Sequence, residues 1–250
     1  MKHRLPVLLA CFASSFGLAG LAHAQVIVND SFGGAGGAYL NGRTPDGKNL
    51  PGQTWISNTQ NSPQSALLDA AAGNPAPSVN TTYNAFAAIS LASNEAARYA
   101  KPTLLTISAD LQLNTIEGGD HPFRGVALGF FSANQGPFDS TGDSGANFYG
   151  LLVTPDGRIE RVTNGTVNTT KTAAIDNFSP ATFYHVSFTV NTATGALSNV
   201  TVNGATIVGL PTDGKFDDSA TTFAGFVGNS ANNVADFGRI DNFSVAGKSP

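Results

Sequence analysis

Cysteine occurs once, at Cys11, tryptophan once, at Trp55, and glutamate only at Glu95, Glu117 and Glu160. Charged residues make up 12% of the chain, with no run of basic side chains. After the first two dozen residues no stretch reaches the roughly 18 continuous apolar residues that a membrane helix needs. Each shortage excludes something. Few glutamates and lysines and many glycines, asparagines and threonines leave little to build helices from. A mildly acidic chain without a basic patch is a poor partner for nucleic acid or for an anionic membrane surface. Three isolated glutamates leave few carboxyl pairs for glycoside hydrolysis, which uses two carboxyls about 5 to 10 Å apart.

The one long apolar segment is at the start. Lys2, His3 and Arg4 precede an apolar and small-residue stretch from Leu5 to Leu21, and Ala22-His23-Ala24 supplies a small-x-small cleavage signal. This reads as a secretory signal peptide over residues 1–24, cut before Gln25. A lipoprotein box at Leu8-Leu9-Ala10-Cys11 is the competing reading, with too few apolar residues ahead of it. Removal of the leader takes Cys11 with it, so disulfides, thiolate metal sites and a cysteine nucleophile are all excluded from the mature chain. It also leaves eleven basic against seventeen acidic residues, a net charge of −6. The expected product is an exported protein whose stability comes from its core, with residues 25–250 forming one domain.

In that domain the recurring pattern is two-residue alternation between turn residues. Leu105, Ile107, Ala109, Leu111 and Leu113 share one face of a segment, and Thr106, Ser108, Asp110 and Gln112 share the other. Further strands are predicted at 85–91, 123–132, 147–154, 158–163, 183–191, 197–203, 221–228 and 236–245. Thr154-Pro155-Asp156-Gly157 has proline and glycine at turn positions. The segments 33–53 and 58–84 read as loop-rich decorations, and 94–100 as one helical turn at most. Strands 123–132 and 147–153 are apolar on both faces, as central strands of a two-layer antiparallel β-sandwich are. The fold class is therefore all-β.

The start, Asn29-Asp30-Ser31-Phe32 followed by Leu40-Asn41-Gly42-Arg43-Thr44-Pro45-Asp46 and Trp55, and the end, Gly238-Arg239-Ile240-Asp241-Asn242-Phe243-Ser244-Val245, resemble the first and last strands of concanavalin A-like, laminin-G-type jelly rolls of exported bacterial proteins. The resemblance spans the mature chain with short motifs. It implies a jelly roll whose terminal strands are neighbours, and it implies that Asp30 and Asp241 share a structural Ca²⁺, as related carbohydrate-active sandwiches hold one on a C-terminal-strand aspartate. Alternation puts Asp30 with Val26, Val28 and Phe32, and Asp241 with Phe243 and Val245, so both carboxylates are expected to point inward and to need partners. The plainer alternative is that they accept backbone N–H groups or pair with Arg43 or Arg239.

The superfold hosts lectins, glycosidases, lyases and adhesion modules. The Glu-x-Asp-x-x-Glu strand of jelly-roll glycosidases and the Arg-x-Glu-x-Arg, Gln-x-His and Tyr-x-Lys strands of jelly-roll lyases are absent from the sequence. The expectation is a secreted, non-catalytic module that binds a carbohydrate or extracellular polymer. A polysaccharide-degrading enzyme and a structural adhesion domain are the alternatives. Candidate ligand-binding residues are His185, on the polar face of its strand, Tyr149, His121 and Arg124, the last two in the polar stretch 117–124. Trp55 is expected to pack in the core.

Overall fold

The computed structural model describes residues 24–33, 40–48, 52–57, 67–69, 78–81, 85–91, 104–114, 124–131, 148–163, 165–192, 194–213, 223–229 and 238–248. No helix occurs among them. In chain order the strands are β1 (Ala24–Asp30), β2 (Gly47–Lys48), β3 (Trp55–Ser57), β4 (Leu67–Asp69), β5 (Ser78–Thr81) and β6 (Ala85–Ser90). Then come β7 (Leu104–Leu113), β8 (Gly125–Phe131), β9 (Tyr149–Val153), β10 (Arg158–Thr163) and β11 (Thr166–Ala174). The last are β12 (Phe183–Asn191), β13 (Leu197–Val202), β14 (Ala205–Thr206), β15 (Phe223–Asn229) and β16 (Gly238–Lys248).

They form two antiparallel sheets. Sheet A runs β14-β13-β12-β7-β16-β1-β2, with β5 also on β16 and β4 on β5, and sheet B runs β11-β10-β9-β8-β15-β6-β3. The chain passes between layers at β2–β3, β3–β4, β5–β6, β6–β7, β7–β8, β11–β12, β14–β15 and β15–β16. The first and last long strands are neighbours, as the terminal motifs predict. The segments expected to be loop-rich contribute β2, β4 and β5 to sheet A. The expected helical turn at 94–100 lies outside the described residues.

The alternation of β7 is realised: Leu105, Ile107, Ala109 and Leu111 are buried and Thr106, Ser108 and Asp110 are half-buried. The inner faces meet in one apolar core, centred at one end on Phe32, Trp55, Phe226 and Phe243, whose ring centroids lie 5.1 to 6.3 Å apart. Such edge-to-face and tilted contacts suit aromatic quadrupoles. Trp55 is fully buried there, as expected. Sheet B is also apolar on its outer face, where Phe86, Ala88, Ala127, Phe148, Leu152, Val162, Phe223 and Val227 are buried. That second cluster explains why the sequence of β8 and β9 is apolar on both faces.

A row of glycines crosses the outer face of sheet B, Gly150 beside Gly129 on β8 and Gly129 beside Gly225 on β15. A Cβ at Gly225 would fall on the carbonyl oxygen of Ala87, and one at Gly129 on that of Tyr149, with the Phe148 ring close above. Only glycine permits this approach. Glu160, which the hairpin position suggests is exposed, is 2% exposed on the same face, with Arg158 Nη1 3.5 Å away. Burial pushes its carboxyl above the ordinary range, opposed by Arg158.

Candidate functional site

Two polar groups stand out against this apolar frame, one between the sheets and one on the open face of sheet A. The first surrounds Asp30, 1% exposed on the inner face of β1. Its Oδ1 accepts the Phe32 N–H at 2.8 Å and lies 3.0 Å from Arg43 Nη2, and its Oδ2 accepts the Trp55 indole N–H at 2.7 Å. Arg43 continues to Asp46 at 3.3 Å and to the Gly33 carbonyl at 2.8 Å, and its guanidinium lies 5.8 Å from the Phe32 ring centroid. Burial pushes the Asp30 carboxyl up, against the pull of Trp55, Phe32 and Arg43. Asp46, held by the Ser31 hydroxyl and N–H and by Arg43, stays below the ordinary range.

Asp241 has different surroundings. The register passes from Asp241 opposite Asp110 to Ser244 opposite Ser108, so β16 carries one extra residue, and Asn242 takes it up with φ of 50°. Ile240 and Phe243 both face the core across this bulge, which turns Asp241 and Asn242 to the outer face. The expectation that Asp241 shares the inward face of Phe243 is corrected by that extra residue. Asp241 Oδ1 accepts the Asn242 N–H at 2.7 Å, and burial, with the charges of Asp110 and Asp30, pushes its carboxyl up.

Calcium takes six to eight oxygens at 2.3–2.6 Å. Both Asp30 oxygens are taken by N–H donors and a guanidinium, and Asp241 is on the other face, so the two residues do not fit a shared Ca²⁺. The plainer alternative, backbone N–H and Arg43, describes Asp30. Among the described residues no three acidic, histidine or cysteine side chains form a metal-binding group.

The second polar group is built by register. Strands β12, β7 and β16 bring His185, Asp110 and Asp241 into one row across sheet A. His185 Nδ1 lies 2.6 Å from Asp110 Oδ1, and Asn242 Nδ2 donates to Asp110 Oδ2 at 2.7 Å. The His185 N–H donates to Asn203 Oδ1, and the Asn203 N–H returns to the His185 carbonyl, both at 2.8 Å. Asn203 and Gly204 both have positive φ, at 49° and 80°, in the two-residue turn joining β13 to β14. Asp110 Oδ1 thus orients the imidazole by accepting from Nδ1–H, on a histidine side chain that is 49% exposed. Chemically this is an oriented imidazole flanked by amides, able to accept a ligand hydroxyl or to take up a proton.

The remaining candidates lie elsewhere. Tyr149 is on β9 in the other sheet, 4% exposed and packed in the inter-sheet core, so it shares no surface with His185. Arg124 is half-buried just before β8, also on the sheet B side. His121 lies outside the described residues. Asp110, Asn203 and Asn242 were not among the sequence candidates. Their signals were present, in the polar faces of two alternating strands and an Asn-Gly pair, but only the register joins them.

No protein-family model and no curated protein matches this chain. Among solved structures it is similar to the Trypanosoma rangeli sialidase in complex with the inhibitor DANA, at 13% identity and a TM-score of 0.44, over 76% of this chain and 30% of that one. A second sialidase aligns at 16% identity and 0.44, over 76% of this chain and 16% of the other. The metal-free Emp46p carbohydrate recognition domain aligns at 15% identity and 0.45, over 84% of this chain and 94% of that one. The chain thus spans under a third of the length of the sialidases. At such scores none of these likenesses bears on what this chain binds.

Proposed function

We propose that this chain is an exported, non-catalytic module of the laminin-G-type jelly-roll kind that binds a carbohydrate or other hydroxylated extracellular polymer on the outer face of sheet A. The observation that supports this best is the hydrogen-bonded row of His185, Asp110 and Asn242, which orients a half-exposed imidazole. Oriented polar groups on a sheet suit hydroxyl recognition, because side chains held by strand hydrogen bonds lose little freedom on binding. The reading includes export through residues 1–24 with Gln25 as the mature N-terminus, which N-terminal sequencing of the secreted protein checks.

The functional test is retention on insoluble polysaccharides. The expected result is retention without release of reducing ends or unsaturated uronates, and about tenfold weaker retention for His185→Ala and Asp110→Ala, the loss of roughly one hydrogen bond. Equal retention of both variants would overturn this site. The same dyad supports a second reading, an enzyme in which Asp110 orients His185 as a general base. Product release that disappears in His185→Ala would establish it. Weak retention on every glycan would favour a structural matrix domain instead.

A further inference from the structure

Far from the row on sheet A, the edge of the sandwich holds a buried cation that the open-face reading does not use. Ile159 faces the core and β10 pairs regularly with β9, Arg161 lying opposite the core residue Leu151, so alternation turns Arg161 inward. It is 1% exposed. A guanidinium carries five N–H donors. Here one Nη1–H reaches the Gly150 carbonyl at 3.2 Å and one Nη2–H the Gly195 carbonyl at 3.3 Å, while Nε–H has no partner. No carboxylate forms an ion pair with it among the described residues. Burial pushes the group down to about 10, opposed by Tyr149 and Asp213, so it remains charged at neutral pH. A buried cation with two long carbonyl contacts among the described residues is costly to retain for packing alone.

Beside it is a cavity of about 420 Å³, lined by Arg161, Thr163, Thr166, Asn168, Thr170 and Asp213 among others. The volume is at the lower end for small-ligand sites. Its wall is shaped by a bulge in β11. Arg161 pairs with Asn168 and Glu160 with Thr172, so residues 169–171 leave the ladder, and Asn168 Oδ1 holds them by accepting from the N–H groups of Thr170 and Lys171. Bulges of this kind widen and re-aim an edge strand.

We propose that this edge cavity binds an acidic sugar of the uronic-acid class, with the ligand carboxylate on the Arg161 guanidinium and its hydroxyls on Asp213 and the threonine side chains. The chemistry narrows the choice. A neutral sugar leaves the cation unpaired, a phosphate dianion is repelled by Asp213 about twice as strongly as a single carboxylate charge held away from it on Arg161, and an apolar ligand strands the hydroxyls and the amide. The proposal goes beyond the open-face reading and does not depend on it.

The test is calorimetric titration of the secreted chain with trigalacturonate and with trigalactose. Trigalacturonate should bind at least tenfold more tightly, and both Arg161→Gln and Thr166→Trp should weaken it at least tenfold. Thr166 is at an exposed rim position, so its indole fills the mouth while Arg161 and the fold stay in place. Equal affinity for the two trisaccharides, no heat with trigalacturonate, or undiminished binding by Thr166→Trp would overturn the proposal. Binding lost in Asp110→Ala and kept in Thr166→Trp would place the acid on sheet A, and would equally overturn it. Failure of the open-face reading is read separately, from retention on insoluble polysaccharide.

Discussion

At the scale of single residues, four charged side chains are buried among the described residues, Asp30, Glu160, Arg161 and Asp241, each in different surroundings. Asp30 is matched by an indole N–H, a backbone N–H and Arg43. Removing one member of a buried pair leaves the other uncompensated, so Asp30→Ala should cost about 3–5 kcal/mol in a urea denaturation series. Asp241 forms no ion pair among the described residues and has two acids, Asp110 and Asp30, within electrostatic reach. Its carboxyl is raised above 3.8, so the folded chain binds that proton more tightly than the unfolded chain does. Its contribution to stability is therefore full below pH 3.8 and is lost as pH rises through the raised value. Asp241→Asn keeps an acceptor for the Asn242 N–H and does not ionise. Melting temperatures from pH 4 to 7 should accordingly fall less steeply in that variant than in the parent; an unchanged slope would show that Asp241 is not strained by its neighbours.

Among the elements, two devices decide what each sheet presents. In sheet B the glycine row lets β9, β8 and β15 approach while Phe148 covers the gap. Gly225→Ala should therefore destabilise by about 1–3 kcal/mol or more, as overpacking does, although alanine is the better strand residue by propensity. In sheet A the β16 bulge does the opposite work, taking two polar residues off the inner face. Asn242 tolerates its left-handed backbone where a β-branched residue does not. Asn242→Val should cost about 1–2 kcal/mol and release Asp110 Oδ2, lowering both thermal stability and glycan retention.

For the whole molecule, the described stabilising feature is the two-layer apolar core, and the Asp30 carboxylate at its end is satisfied by N–H donors and Arg43. The melting temperature should be the same in chelator as in millimolar calcium. A fall in chelator would restore a metal to the terminal strands. The two sheets also divide the chemistry. The outer face of sheet B is buried and apolar, whereas that of sheet A has His185, Asn203 and Asn242 exposed, so the proposed ligand contacts lie on sheet A and at the edge cavity, not on the covered face.

The strand class, most strand positions, the inward Asp30 and the buried Trp55 were legible in the sequence, because alternation and turn residues are local and a period of two assigns each residue a face. What lay beyond it came from register and insertion. A single extra residue in β16 reverses the face of Asp241, and three looped residues in β11 open a cavity beside Arg161. Neither changes composition or local pattern enough to be seen. Only the pairing of β12, β7 and β16, strands as far apart in the chain as residues 110, 185 and 241, brings Asp110 under His185 and Asn242. Hydrogen-bond partners across a sheet are set by where the whole chain closes on itself, and that is information no local stretch carries.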